Sequence, residues 1–131
     1  MEKQVAIKLV LFSEKREEIQ RETQKLDRSI SWILKKIWES EIANIKNCDV
    51  NSEEIRKLKS DSPYRNAIRV EMLKSGLVPK GMESFQIYFP ESVFISIESE
   101  CERLSVASWE LLLWIWDRNR NEIQKYSASD A

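Results

Sequence analysis

Near its start the chain alternates: Val5, Ile7, Leu9 and Leu11 interleave with Ala6, Lys8, Val10 and Phe12. A period of two with one apolar set predicts a half-buried strand within residues 1–12. The period then lengthens. Ser13 stands where a helix cap belongs, Arg16, Glu17 and Glu18 follow it, and Ile19, Thr23 and Leu26 recur at helical spacing, predicting a first helix with a narrow inner face. Asp27-Arg28 breaks the pattern and Ser29 is a second cap. Ile30, Ile33, Leu34, Ile37 and Trp38 then form the inner stripe of a second helix reaching Ile45.

The same order returns. Phe85 to Phe89 alternate and end at Pro90, Val93, Ile97, Cys101 and Leu104 keep helical spacing, and after Ser105 a strongly apolar helix begins near Ala107. Subtracting 78 lays Phe85 on Ile7, Ile87 on Leu9, Phe89 on Leu11, Ile97 on Ile19 and Leu104 on Leu26. Leu111, Leu112, Ile115 and Trp116 fall on Ile33, Leu34, Ile37 and Trp38, and the register holds without a gap across 32 positions. The chain therefore contains one supersecondary unit twice, strand–helix–helix. A unit so short buries too little surface to stand alone, and a lone strand leaves both edges unpaired. Pairing the two copies answers both needs. The expected fold is mainly α, with the two strands joined as an antiparallel ribbon over a shared helical core. Residues 1–46 form the first unit, 47–82 a helical connector, 83–126 the second unit and 127–131 a flexible tail.

In the connector, Asn51 or Ser52 caps a short helix through Ile55 and Leu58 that stops at Ser60-Asp61-Ser62. Pro63 opens another, with Ala67, Ile68, Met72 and Leu73 apolar and Gly76 at its end. Arg56, Lys57, Lys59, Arg65, Arg69 and Lys74 make the polar side basic, as a solvated helix face would be.

An alternating strand, a proline closing the second strand, apolar positions through the first helix, a small polar turn and an apolar pair four residues apart together resemble the ribbon-helix-helix family. This is the Met and Arc repressor type of DNA-binding protein, here in a tandem, single-chain form. The likeness spans residues 4–40 and 83–120. It implies a sequence-specific binder of double-stranded DNA, a transcriptional regulator or related nucleoprotein component, with the ribbon inserted in the major groove. The implied base contacts are the outward side chains Ala6, Lys8 and Val10 and, from the second copy, Ser84, Gln86 and Tyr88. Gln86 suits adenine N6 and N7, Lys8 a guanine or a phosphate, and Ala6 and Val10 only a thymine methyl. The implied phosphate contacts lie where each second helix opens: Ser29 and Ile30 with Arg28 beside them, and Ala107 and Ser108. Val106 replaces the cation at the second site, so the two halves would bind unequally.

Leu113 and Trp114 fall where the first copy has Lys35 and Lys36, and Trp109 extends the apolar face. Either the connector covers this face, or it is a surface for self-association or a protein partner.

Composition narrows the choice. With 21 Lys and Arg against 22 Asp and Glu the net charge is −1, so the chain carries no strong field toward nucleic acid. That leaves open a second function, a protein-interaction module on a degenerate ribbon-helix-helix scaffold with weak or no DNA binding. The chain has no His, only two Gly and only two Cys, so no metal centre, cofactor or enzymatic chemistry is expected. Cys48 and Cys101 read as reduced thiols, Cys101 at a core position. Without a signal peptide or an apolar run of about 18 residues, a cytoplasmic protein with no membrane partner is expected.

Overall fold

The computed structural model describes residues 2–60 and 82–123. The expected helix from Pro63 to Gly76, with Arg65, Arg69 and Lys74, and the tail 127–131 lie outside the described residues. The elements are β1 (Gln4–Phe12), α1 (Ser13–Leu26), α2 (Ile30–Lys46), α3 (Glu53–Ser60), β2 (Met82–Pro90), α4 (Glu91–Leu104) and α5 (Ser108–Asn119). The described part is mainly helical, with one two-stranded antiparallel sheet.

The offset of 78 governs the structure as it does the sequence. β2 and α4 begin and end 78 residues after β1 and α1, and α5 begins 78 residues after α2. In the sheet Lys8 faces Gln86, the same position of the two copies, and the pairing runs evenly outward to Gln4 with Pro90 and Phe12 with Met82. Both first helices stop on a left-handed residue, Asp27 at φ 53° and its equivalent Ser105 at φ 57°. The amides that follow close the same turn, Arg28 N–H donating to Thr23 O at 3.2 Å and Val106 N–H to Cys101 O at 3.0 Å. A left-handed conformation costs a non-glycine residue about 1–2 kcal/mol, so the surrounding packing must hold this break in both copies.

The helix starts follow local geometry. Ser13 is not the cap of α1. Strand runs straight into helix, so the last extended residue, Phe12 (φ −65°, ψ 147°), takes that position, as Pro90 does before α4. Ser29 does cap α2, its Oγ accepting the Trp32 N–H at 3.1 Å. Ser52 likewise caps α3, accepting from Ile55 N–H at 3.3 Å. The opening of α4 is satisfied from far away in sequence. Glu91 N–H donates to Lys3 O at 2.9 Å, and the Glu2 carboxylate accepts both the N–H (2.9 Å) and the hydroxyl (3.0 Å) of Ser92. The Ser92 amide, then its hydroxyl, hold the Glu2 carboxyl below its ordinary pKa, against slight desolvation and with help from Lys35.

Ile7, Leu9, Leu11, Ile87 and Phe89 line the inner face of the sheet. Ile19, Leu26, Ile97, Cys101 and Leu104 pack beneath them, with Ile33, Leu34, Ile37 and Trp38 of α2 and Leu111, Leu112, Ile115 and Trp116 of α5. α3 inserts Ile55 fully into this core with Leu58 beside it, so the first part of the connector docks on the repeated units. The two indoles stitch the halves together reciprocally. Trp38 Nε1 donates to Ser96 Oγ at 3.1 Å and Trp116 Nε1 to Glu18 Oε2 at 2.9 Å. Residues 38 and 116 are equivalents, and so are 96 and 18, so each copy holds the first helix of the other.

Both cysteines are free thiols. Burial, then the carboxylates of Glu98, Glu110 and Glu100, push the Cys101 pKa up to about 12. Among the described residues no helix is long and apolar enough to cross a membrane.

Candidate nucleic-acid interface

The outer face of the ribbon is built by the pleat. Because successive side chains point to opposite faces, burying Ile7, Leu9, Ile87 and Phe89 turns Lys8 and Gln86 outward, and both are exposed at the ribbon centre. Ala6 and Ser84 are half-buried beside them. Tyr88 is 51% exposed, and its hydroxyl donates to Gln86 Oε1 at 3.2 Å. The Gln86 oxygen keeps a lone pair and its NH2 keeps two protons, so the amide can still accept and donate at once.

Val10 does not take the place expected of a base contact. By register it shares the outward face with Ala6 and Lys8, yet it is only 1% exposed. Alternation fixes the side toward which a residue points and not what covers that side. Covering a valine is favourable by roughly 1.5–3 kcal/mol, so an apolar residue at the flank of a polar face tends to be hidden.

The two helix starts that flank the ribbon differ. At α2, Ser31 Oγ accepts the Tyr88 N–H at 3.2 Å and ties the first turn to β2. The Arg28 guanidinium lies over the Trp32 ring at 4.7 Å, and Lys36 Nζ lies 5.5 Å from the same ring. Ser29 is exposed where α2 opens, with Arg28 and Ile30 half-buried on either side of it. At α5, Ala107 and Ser108 are half-buried. The Glu110 carboxylate accepts the Ala107 N–H at 2.9 Å, with the residue only 3% exposed. The Glu110 side chain therefore already takes an amide proton where the second phosphate contact was expected. Trp32 and Glu110 both escape a reading confined to the family positions. Their signals are local: cation–Trp–cation at intervals of four residues, and a Glu three residues after the cap position, half of a capping box.

Trp109, Leu113 and Trp114 are half-buried and pack against the core. The Arg118 guanidinium covers the Trp114 ring at 4.8 Å, pairs with Glu54 of α3 at 3.3 Å and lies 3.6 Å from Glu41. Glu54, Trp114 and Arg118 also border one groove with Glu41 and Cys48. The connector thus reaches this face through Glu54.

No family model, curated protein or solved structure matches the chain. Among the described residues no group of three or more His, Cys, Asp or Glu is placed to hold a metal ion. The outward face instead offers one ammonium, one amide, one serine hydroxyl and one phenol, groups suited to recognition through hydrogen bonds and charge.

Proposed function

We propose that the chain is a tandem ribbon-helix-helix protein that binds double-stranded DNA sequence-specifically, as a transcriptional regulator or related nucleoprotein component, by laying β1 and β2 in the major groove. The observation that carries this is the pairing of Lys8 with Gln86, equivalent residues exposed side by side at the centre of the ribbon and away from the core. The major groove admits a two-stranded ribbon. There Gln pairs with adenine N6 and N7, and Lys reaches guanine O6 and N7. The constant offset of 78 between the units and the reciprocal Trp38 and Trp116 bonds support the two-unit architecture. Arg28 at the α2 start adds a charge that can contact phosphate beside the ribbon.

A protein-interaction module is the second reading, favoured by the net charge of −1 and by the Glu110 carboxylate at the α5 start. Selection of duplexes from a randomised library, followed by salt titration, separates the two. A recovered consensus, with affinity falling steeply as salt rises, supports DNA reading. Absence of tight duplex binding at physiological salt, with self-association abolished by Trp114→Ala, supports the interaction module.

A further inference from the structure

Exposed at the ribbon centre, Gln86 carries an amide whose two ends match in shape and differ in hydrogen-bonding sense. Its oxygen accepts and its NH2 donates, so an amide turned over presents the reverse pattern. Tyr88, further along the same face of β2, removes that freedom. Its hydroxyl donates to Gln86 Oε1 at 3.2 Å. A phenol donates better than it accepts, because its oxygen shares a lone pair with the ring, so it holds the carbonyl end of the amide. Across the ribbon Tyr88 faces Ala6, whose methyl offers the hydroxyl no rival partner. The tyrosine is itself placed from behind, its N–H donating to Ser31 Oγ at 3.2 Å in the first turn of α2. Helix start, strand, phenol and amide thus form one chain of positions that ends at the ribbon centre.

We propose, resting on the DNA-binding reading above, that Tyr88 is a positioning residue: its hydroxyl holds the Gln86 amide in one sense and so makes the ribbon choose adenine over guanine. Adenine offers N7 as an acceptor and N6–H2 as a donor, whereas guanine offers two acceptors, N7 and O6. The held amide sets its NH2 against N7 and the remaining lone pair of its oxygen against N6–H2. On guanine that oxygen faces O6, acceptor against acceptor. Tyr88 resists the movement that would let the NH2 bridge both guanine acceptors instead. It acts on the base through Gln86 and not by a contact of its own.

The test compares affinities for duplexes carrying adenine or guanine at the base pair that Gln86 reads. Gln86→Ala, on a duplex selected from a randomised library, identifies that pair. Wild-type protein should prefer adenine there. Tyr88→Phe keeps the ring and the backbone N–H, and should lower the preference by roughly 2- to 10-fold, the worth of one hydrogen bond. The preference is a ratio of two affinities for one protein, so a general loss of binding or of folded protein cancels from it. Added to Gln86→Ala, Tyr88→Phe should not change the ratio further. A preference unmoved by Tyr88→Phe would overturn the proposal while leaving DNA binding intact. So would a further change of ratio in the Gln86→Ala background, which would make Tyr88 a base contact in its own right. A selected duplex on which Gln86→Ala costs no preference for adenine would overturn it too. If no duplex is bound, the DNA-binding reading itself fails and the proposal falls with it.

Discussion

Asn119 donates its side-chain amide to Glu41 at 3.2 Å, and the two residues are the same position of the two units. Like Lys8 and Gln86, they mark a place where the units meet at equivalent points, here one amide and one carboxylate. The same amide also donates to Ile115 O at 2.8 Å, and Asn119 is buried. Asn119→Ala leaves a largely buried carboxylate oxygen without this donor, and should cost about 1–3 kcal/mol in urea unfolding. A change within error would mean that water serves Glu41 equally well.

Ile33 and Leu112 lie in the shared core, one from each copy. Each replaced by Ala should lose roughly 2–5 kcal/mol, and Ile55→Ala should fall in the same range if α3 belongs to the same cooperative unit. Lys35→Ala should stay within about 0.5 kcal/mol. Denaturant midpoints would settle it. A mild Ile55→Ala would show α3 to be dispensable packing.

Glu18 and Ser96 receive equivalent indoles but differ in charge. Burial opposes the Glu18 charge, yet the Trp116 hydrogen bond with Lys15 and Arg120 outweighs it and lowers the pKa below 4.5. A lowered carboxylate stabilises the fold above its unfolded pKa, and that contribution disappears as pH falls through the folded value. Trp116→Phe should therefore destabilise more than Trp38→Phe at pH 7, and its deficit should shrink below about pH 4. Parallel stability curves for the two variants across pH 3–7 would refute the role of charge.

On a selected duplex, Gln86→Ala should weaken binding by about 1–3 kcal/mol and leave random duplex almost unaffected. Val10→Ala should not change base preference, because Val10 is buried. A shift of consensus with Val10→Ala would mean that the ribbon uncovers that side chain on binding.

Thiol labelling offers an independent view of the core. Cys101 is buried with its pKa near 12, whereas Cys48 is half-buried, its pKa raised by burial and by Glu54. At pH 8, Cys48 should label slowly and Cys101 only as fast as the fold opens. Rapid labelling of both thiols would place α4 at the fraying end of the structure.

Much of this architecture is legible in the residues. Ile7, Leu9 and Leu11 declare the inner face of β1 because a half-buried strand must repeat every two residues, and Ile33, Leu34 and Ile37 declare α2 for the helical counterpart of that reason. The offset of 78 then dictates which strands pair. Contacts between distant segments are less visible. Nothing near Ser92 shows that Glu2 will close its helix, and the alternation that turns Val10 outward is silent about its cover. On the outer face of the ribbon, Lys8 and Gln86 emerge where the pattern points. Glu110 is missed because its effect depends on burial at a helix start, which no family position encodes.

The strand pairing has a consequence for how the molecule is made. β1 cannot find β2 until 78 further residues have been added, which takes about 4–16 s at a synthesis rate of roughly 5–20 residues per second. During that interval the first unit exposes Leu9, Ile33 and Ile37 without the surface that will bury them. Two nascent chains on one messenger would each present a half that fits the other's missing half. Exchange of units between neighbouring chains, yielding an interlocked dimer with the same ribbons and the same cores, is the characteristic misassembly of such a design.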